Sequence, residues 1–487
     1  MCKMIWEFCR LLRNTEKLNT YKLMKYLIKI LAILFLYSCA AKQKETHPNI
    51  LLINIDDMGW RDVGFMGSEY YETPNLDALA ANGMIFTQAY AAASNCAPSR
   101  ACMMSGQWTP RHGIYTVTNS DRGKSKDRKI IPTTNNEYIP EDNLLLPQVL
   151  QEAGYVTCHA GKWHLSDDPC QNGFDVNIGG SHAGNPGSYY PPYKNVSSIT
   201  PPSDDYYLTN LVMDKTLEFL RSVVDKPFFM YYSPYAVHTP IHPVKSLLPK
   251  YEGKAEWNGQ NNAKYATMVE NLDTQIGRMI KLLQETGKLE NTFILFISDN
   301  GGVYNITKQW PLRAGKGSYY EGGIREPMFA YWQGKIPKGI KSEVPVTNLD
   351  FYPTILDVAG ISKPNNKLLD GESILPVMIE NAMMAERPLY WHFPIYLQGG
   401  NMETQDPLFR TRPGSAIRLG EWKLIQYFEN NDIELYNLKD DIGEKNNLAG
   451  SDPEKVKELL DRLNKWRDET NAPVPTQLNP DYVLAEK

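Results

Sequence analysis

With 487 residues, of which 42% are hydrophobic, 22% charged and 11% aromatic, the chain has the make-up of a folded globular protein, which excludes disorder for most of it. Single cores rarely grow far beyond about 250 to 300 residues, so one large domain and a smaller one are expected. The formal charge of −5 hides seven Lys and Arg in residues 1–38 against Glu7 and Glu16, leaving −10 on the remainder; this excludes a nucleic-acid backbone as partner, though local basic residues stay available for a small anion.

In chain order, Lys25 and Lys29 lead into an apolar stretch from Ile30 to Leu36, followed by Tyr37-Ser38-Cys39. This reads as a signal peptide over 1–38 closing on a Leu-x-x-Cys lipobox, its apolar part too short to span a bilayer comfortably. A short hydrophobic anchor or an ordinary core helix is the plainer alternative. Met24, just before Lys25, is a better start than Met1. The segment resembles those of bacterial lipoproteins, which implies cleavage before Cys39 and lipidation of that thiol. Residues 39–48 then become a polar tether, membrane contact runs only through the lipid, and the protein sits in the bacterial cell envelope, at the periplasm or outer membrane.

Ile50 to Ile55 is a continuous apolar run, the pattern of a strand buried on both faces, and it ends in Asp56-Asp57. Thr73-Pro74 opens a helix that stops at Asn82-Gly83, and Met84 to Ala89 is a strand leading towards Cys96. The rhythm recurs with helices over 144–153 and 208–224 and strands over 155–159 and 227–232. A long helix over 262–286 and a second buried strand, Thr292 to Ile297, follow; the strand exits into Ser298-Asp299-Asn300. Ligands of α/β sheets collect outside the carboxyl ends of strands, which places Asp56, Asp57, Asp299 and Asn300 on one edge. Residues 170–206 read as a long loop of the functional kind. Past about 385 the texture turns to short alternating strands and a helix over 453–469. The expected architecture is α/β: a large mixed sheet flanked by helices over 49–384, then a smaller α+β subdomain with an antiparallel sheet over 385–487.

Two carboxylate-bearing pairs after two buried strands form an all-oxygen set, suited to Ca²⁺ or Mg²⁺ rather than Zn²⁺. Cys96-Ala97-Pro98-Ser99-Arg100 puts proline in a helical first turn, so the sulfur lies at or near a helix N-terminus, where backbone N–H groups favour an anion. Arg100 sits one turn further on. Lys162 and His164, two apart in Gly161-Lys162-Trp163-His164, face one way from an extended segment. Three further segments hold candidates: Ser233-Pro234-Tyr235-Ala236-Val237-His238, Gly315-Lys316-Gly317, and the 170–206 loop with His182. His242 is the alternative to His238, and His112 reads at least as well as a packing residue. Tyr189, Tyr190, Tyr193 and Trp310 offer faces for a sugar ring or simply pack their loops. Cys158 and Cys170 are near enough in sequence to pair in an oxidising compartment, without geometry to decide.

The Cys96 to Arg100 run, continuing as Ala101-Cys102-Met103-Met104-Ser105-Gly106, together with Asp56-Asp57, resembles the formylglycine-dependent sulfatases of the alkaline-phosphatase-like superfamily, over nearly the whole mature chain. The resemblance implies that a formylglycine-generating or anaerobic sulfatase-maturating enzyme oxidises Cys96 to formylglycine (3-oxoalanine). It implies one Ca²⁺ held by Asp56, Asp57, Asp299, Asn300 and the modified Cys96. Arg100, Lys162 and Lys316 then bind sulfate, His238 protonates the leaving sugar oxygen, Asp299 accepts the nucleophile's proton and His164 assists turnover. The implied activity is hydrolysis of sulfate monoesters on a sulfated polysaccharide or oligosaccharide, from chain ends or interiors. Beside it, His182 and Trp310 are candidate sugar contacts, against the plainer readings of a solvated loop histidine and of an aromatic that only packs its loop. Gln107-Trp108-Thr109 departs from the family's usual Gly/Arg-rich wording. Two rivals remain: a phosphomonoesterase or phosphonate hydrolase on the same fold, against which the scarcity of histidine ligands argues, and an inactive glycan-binding lipoprotein, against which the full set of reactive residues argues.

Overall fold

A computed structural model describes residues 47–196 and 198–483; the expected signal peptide, the expected lipobox with Cys39 and nearly all of the expected tether lie outside them. Among the described residues no helix is long and apolar enough to cross a membrane.

The main sheet is assembled from β1 (Asn49–Ile55), β2 (Met84–Tyr90), β3 (Val156–Gly161), β4 (Val176–Ile178), β5 (Phe228–Ser233), β6 (Thr292–Ser298), β7 (Arg325–Tyr331), β8 (Ile340–Ser342) and β9 (Val346–Thr347). Its order is β4-β3-β5-β1-β6-β7-β2-β8, with β9 also on β2. All pairings are parallel except those of β7, which runs against β6 and β2. Consequently β1, β2, β3, β5 and β6 release their chain at one edge, and β7 takes its chain in from that edge.

The apolar run of β1 is continuous because both faces are covered. Leu51, Ile53 and Ile55 join one core with Leu211 and Val212 of one helix (Leu208–Ser222) and Leu272 and Ile276 of another (Ala263–Glu285). Ile50 and Leu52 join the opposite core, with Ala101 and Met104 of the helix Cys96–Ser105 and Phe351 and Ile355 of the helix Phe351–Ala359. Alternate strand residues point to opposite faces, so an unbroken hydrophobic run is what a two-sided sheet requires.

The 170–206 stretch is not only loop. Val176–Ile178 supplies the edge strand β4, parallel to β3, too short at three residues for a periodic signal. Cys158 is buried and Cys170 exposed, and both are free thiols. The late strands β10 (Leu389–Phe393), β11 (Leu397–Gln398), β12 (Phe409–Thr411), β13 (Gly414–Leu419), β14 (Trp422–Tyr427) and β15 (Asp432–Asn437) make a four-stranded antiparallel sheet, β10-β13-β14-β15, and a separate β11-β12 ribbon. A terminal helix (Pro453–Thr470) lays Leu459, Leu463 and Trp466 on Ile417, Leu424 and Leu435 of that sheet. Trp108, from the stretch that departs from the sulfatase wording, meets Tyr390 and Trp466 edge-on, each at 6.0 Å. The departure thus lies at the joint between the region following the Cys96 helix and the late sheet.

Candidate active site

Parallel register sets the centre. Ile55 pairs with Ser298, so Asp56-Asp57 and Asp299-Asn300 leave adjacent strands side by side. The Asp57 N–H donates to Asp299 Oδ1 at 3.2 Å, and Asn300 Nδ2 donates to Asp57 Oδ1 at 2.8 Å. Asp57 holds a φ of +60°, a costly state for a residue with a Cβ and one that recurs at functional sites. All four side chains are buried.

The exit of β2 leads into the helix Cys96–Ser105. Asn95 caps it, its side chain accepting the Cys96 N–H at 3.1 Å. One turn on, Arg100 is fully buried. Its Nε and Nη2 each approach Asp299 Oδ2 at 2.8 Å, and its Nη1 donates to the Lys162 carbonyl at 2.9 Å and to Ser233 Oγ. This guanidinium ties the exits of β3, β5 and β6 to the Cys96 helix.

Lys162 leaves β3 and donates to both Asp56 oxygens, at 3.0 and 2.8 Å. Lys316, on the chain entering β7, touches Asp57 Oδ1 and stands 3.9 Å from Cys96 Sγ. His238, beyond β5, places Nε2 3.6 Å from Asp57 Oδ2 and donates from Nδ1 to the Thr239 carbonyl at 2.7 Å. His164 is buried with a φ of +70° and an unpartnered Nδ1. The sheet edge therefore brings Cys96, Arg100, Lys162, His238, Asp299 and Lys316 into one connected cluster with Asp56, Asp57 and Asn300, and His164 follows Lys162 in the same turn of chain.

Burial and charge oppose one another throughout. Burial pushes Asp56 and Asp299 up to about 6 in spite of Lys162 and Arg100 beside them. Burial alone would also raise Asp57, but Lys316, His238 and Lys162 hold it well below the usual carboxylate range. The Cys96 thiol is likewise raised by burial and more than compensated by Lys162 and Lys316, ending below its ordinary value. Burial lowers His238 to about 4, which leaves the ring neutral near pH 7.

The donor set fits a hard cation. Asp57 Oδ2 and Asn300 Oδ1 are buried oxygens without a hydrogen-bond partner, an expensive arrangement in a dry interior. Ligand atoms from Asp56, Asp57 and His238 all lie within 4.8 Å of one another. Asp56, Asp57 and Asp299 already balance Arg100, Lys162 and Lys316, so a divalent cation would leave the cluster two positive charges in excess and primed for an anionic ligand.

The outlying candidates are placed differently. His182 stacks on Tyr138 with centroids 4.2 Å apart and lies 5.9 Å from the His164 ring. Trp310 is 54% exposed, its ring one of three, with Trp60 and Trp257, around the Arg61 guanidinium. Tyr189 and Tyr193 are buried; the Tyr189 hydroxyl donates to the carbonyls of Tyr235 and His238, so it props the His238 turn instead of facing a sugar. His242 is turned to the Tyr189 N–H at 3.4 Å. His112 is buried, its Nδ1 accepting the Ile114 N–H at 3.2 Å and its Nε2 bonded to Cys102 Sγ at 3.4 Å, a structural role. Sequence reading overlooked Asn95, although an Asn preceding a Pro-bearing helical turn is a capping signal, and Ser233, which nothing in its local pattern marks.

Fold and centre together define an α/β protein with a cationic cluster suited to an anionic ligand, a cysteine at a helix N-terminus and an oxygen-rich candidate cation site beside it. The sulfatase family model matches residues 48–361, and a second model, N-sulphoglucosamine sulphohydrolase C-terminal, matches 315–470. A Formosa agariphila sulfatase is 31% identical, covering 89% of this chain and 91% of that protein. Human N-acetylgalactosamine-6-sulfatase is 32% identical over 71% of this chain and 68% of its own. A solved structure of Ps i-CgsB in complex with k-i-k-neocarrahexaose superposes with a TM-score of 0.73 at 29% identity, covering 89% of this chain and 95% of that one. The chain belongs to the sulfatase family of the alkaline-phosphatase-like superfamily and is a sulfuric ester hydrolase.

Proposed function

We propose that this enzyme removes sulfate from a sulfated polysaccharide or oligosaccharide, using formylglycine made from Cys96 and one Ca²⁺. The observation that carries the reading is Cys96 Sγ at a capped helix N-terminus, 3.9 Å from Lys316 Nζ, beside two buried oxygens with no hydrogen-bond partner. Sugar as the leaving group is supported by relatives named for N-acetylgalactosamine 6-sulfate and by the carbohydrate complex.

Asp56, Asp57, Asp299 and Asn300 would hold the cation, which would supply positive charge against that of the nucleophile and the sulfate, and the formylglycine made from Cys96 would supply the nucleophile through its hydrate. Arg100 keeps Asp299 and the exits of β3 and β5 in register. Lys162 and Lys316, each tied to a carboxylate, present ammonium groups to the sulfate oxygens, where preformed positive charge is worth most as negative charge spreads in the transition state. His238 is the donor to the departing sugar oxygen. Its ring is neutral before substrate arrives, with its one proton on Nδ1, so Nε2 takes up from solvent the proton it later donates, as the negative charge of the bound sulfate ester raises the basicity of the ring. Asp299 takes the nucleophile's proton, and His164 assists release. His182 and Trp310 are the sugar contacts in this reading.

The apolar stretch and lipobox at 30–39 support export, lipidation at Cys39 and a bacterial envelope location; absence of fatty-acid labelling in a cell that processes lipoproteins would reject that part. For the chemistry, the test is paired assays on aryl sulfate and aryl phosphate with the matured, Ca²⁺-loaded enzyme. Sulfate turnover well above phosphate turnover is expected; the reverse preference would restore the phosphomonoesterase rival.

A further inference from the structure

Among the described residues, two arginines beside the centre have no carboxylate paired with them. Arg410, in β12, runs across Gly317: a Cβ added at Gly317, whose φ is +85°, would stand 3.2 Å from Arg410 Cδ. Gly317 follows Lys316, so the arginine passes directly over the residue next to the ammonium that faces Cys96. Its Nε donates to the Gly399 carbonyl at 3.3 Å. Arg122 arrives from another part of the chain and donates from Nε to Gln398 Oε1 at 3.0 Å and from Nη1 to the Val117 carbonyl at 3.1 Å. Both guanidinium groups are thus anchored on the single dipeptide Gln398-Gly399. Each is half-buried.

Arg412, two residues along, is held by Asp406 and Glu429; among the described residues neither Arg122 nor Arg410 has an ion-pair partner. Burial lowers both guanidinium groups, and their charges reach one another and the centre: Arg122 acts on Arg410, Asp57 on Arg410 and Cys96 on Arg122. Two like charges, partly desolvated and anchored on one dipeptide without a counter-ion, are unfavourable unless a ligand supplies the opposite charge. Guanidinium forks match the planar oxygen pairs of carboxylates and the oxygens of sulfate.

We propose that Arg122 and Arg410 form a second anion subsite, which receives an oxyanionic substituent of the carbohydrate other than the ester being cleaved, either a further sulfate ester or a uronate carboxylate. This rests on the sulfatase reading above and narrows it to polyanionic glycans.

The test uses the matured, Ca²⁺-loaded full chain and oligosaccharides sharing one cleavable ester. One carries no other charge, one a second sulfate and one an adjoining uronate. The native enzyme should favour one of the doubly charged substrates in kcat/KM, and which one identifies the oxyanion. In Arg122→Ala and Arg410→Ala proteins that melt like the native one, that preference ratio should fall about ten- to hundredfold. No preference in the native enzyme, or an unchanged ratio in both variants, overturns the subsite. Failure of the native enzyme to release sulfate from any substrate, aryl sulfate included, would instead defeat the sulfatase reading. The subsite is then judged by titrating the same oligosaccharides into Cys96→Ala protein with and without Arg410→Ala: weaker binding of the doubly charged sugar alone supports it, and equal binding overturns it.

Discussion

Two of the buried charge clusters among the described residues invite comparison, and one of them is the proposed reaction centre. In the second, Lys423 of β14 bridges Glu321 at 3.0 Å and Glu444 at 2.8 Å, and Glu321 also receives the Tyr90 hydroxyl at 2.7 Å and Arg325 at 3.3 Å. Burial raises Glu444 to about 7, whereas Lys423 and Arg325 overcome the same burial at Glu321 and hold it down at about 2. Fully buried acids and bases with displaced titrations are therefore common to both clusters. What differs is closure. Lys423 gives each acid an ammonium partner and fastens the late sheet to the chain entering β7. Glu444 Oε1 has no hydrogen bond of good geometry but meets Lys423 Nζ at 2.8 Å, whereas in the strand-exit cluster Asp57 Oδ2 has nothing nearer than His238 Nε2 at 3.6 Å and Asn300 Oδ1 has no partner, beside a residue at a helix N-terminus. Buried charge alone does not mark a catalytic site; buried charge with unpaired oxygens at converging strand ends does.

Substitution should separate the clusters. Cys96→Ala is expected to lower kcat by about 10³-fold or more while the melting temperature stays at the native value; a few per cent of residual turnover would contradict the assignment. Lys423→Ala should act on stability instead, costing about 3–5 kcal/mol because two acids lose their shared partner in the interior, as read by chemical denaturation. Loss of less than about 1 kcal/mol would mean that the second cluster is not closed in the sense described.

Cation and proton should compete at the strand-exit cluster. In metal-free protein the folded state keeps protons on Asp56 and Asp299 up to about pH 6, whereas the unfolded chain loses them near about pH 4. Stability contributed by these groups therefore falls as pH rises from about 4 to 6 and stays lower above that. Asp57 has the opposite sign, but its contribution is lost only below this window. Saturating Ca²⁺ at pH 7 should raise stability by about 2.7 kcal/mol at a hundredfold excess over Kd, and by less at pH 5; thermal melts with and without chelator check both. A Ca²⁺ effect independent of pH would count against direct ligation by Asp56 and Asp299. The smallest expected effect is that of Asn95→Ala, about 1 kcal/mol from the lost helix cap.

Much of this contrast was legible in the sequence. Ile50–Ile55 and Thr292–Ile297 announce two-sided strands, and each runs into acidic or amide residues, so the candidate cation site follows from pattern and sheet topology. Cys96 and Pro98 foretell the helix N-terminus. No local pattern singles out Lys423 or Glu444, because nothing local reveals that the late sheet buries them against Glu321. Arg122 and Arg410 were equally silent, lying in irregular chain and in a three-residue strand whose neighbours only the fold supplies. The edge strand β4 escaped for the same reason of length.

The most direct check is inorganic sulfate released from a sulfated oligosaccharide by chain produced with and without a co-expressed formylglycine-generating enzyme, both assayed in Ca²⁺. Release confined to the co-expressed preparation is the expected result. Equal release from both, or none from a preparation whose residue 96 is fully converted, would refute the assignment of Cys96 as the source of the nucleophile.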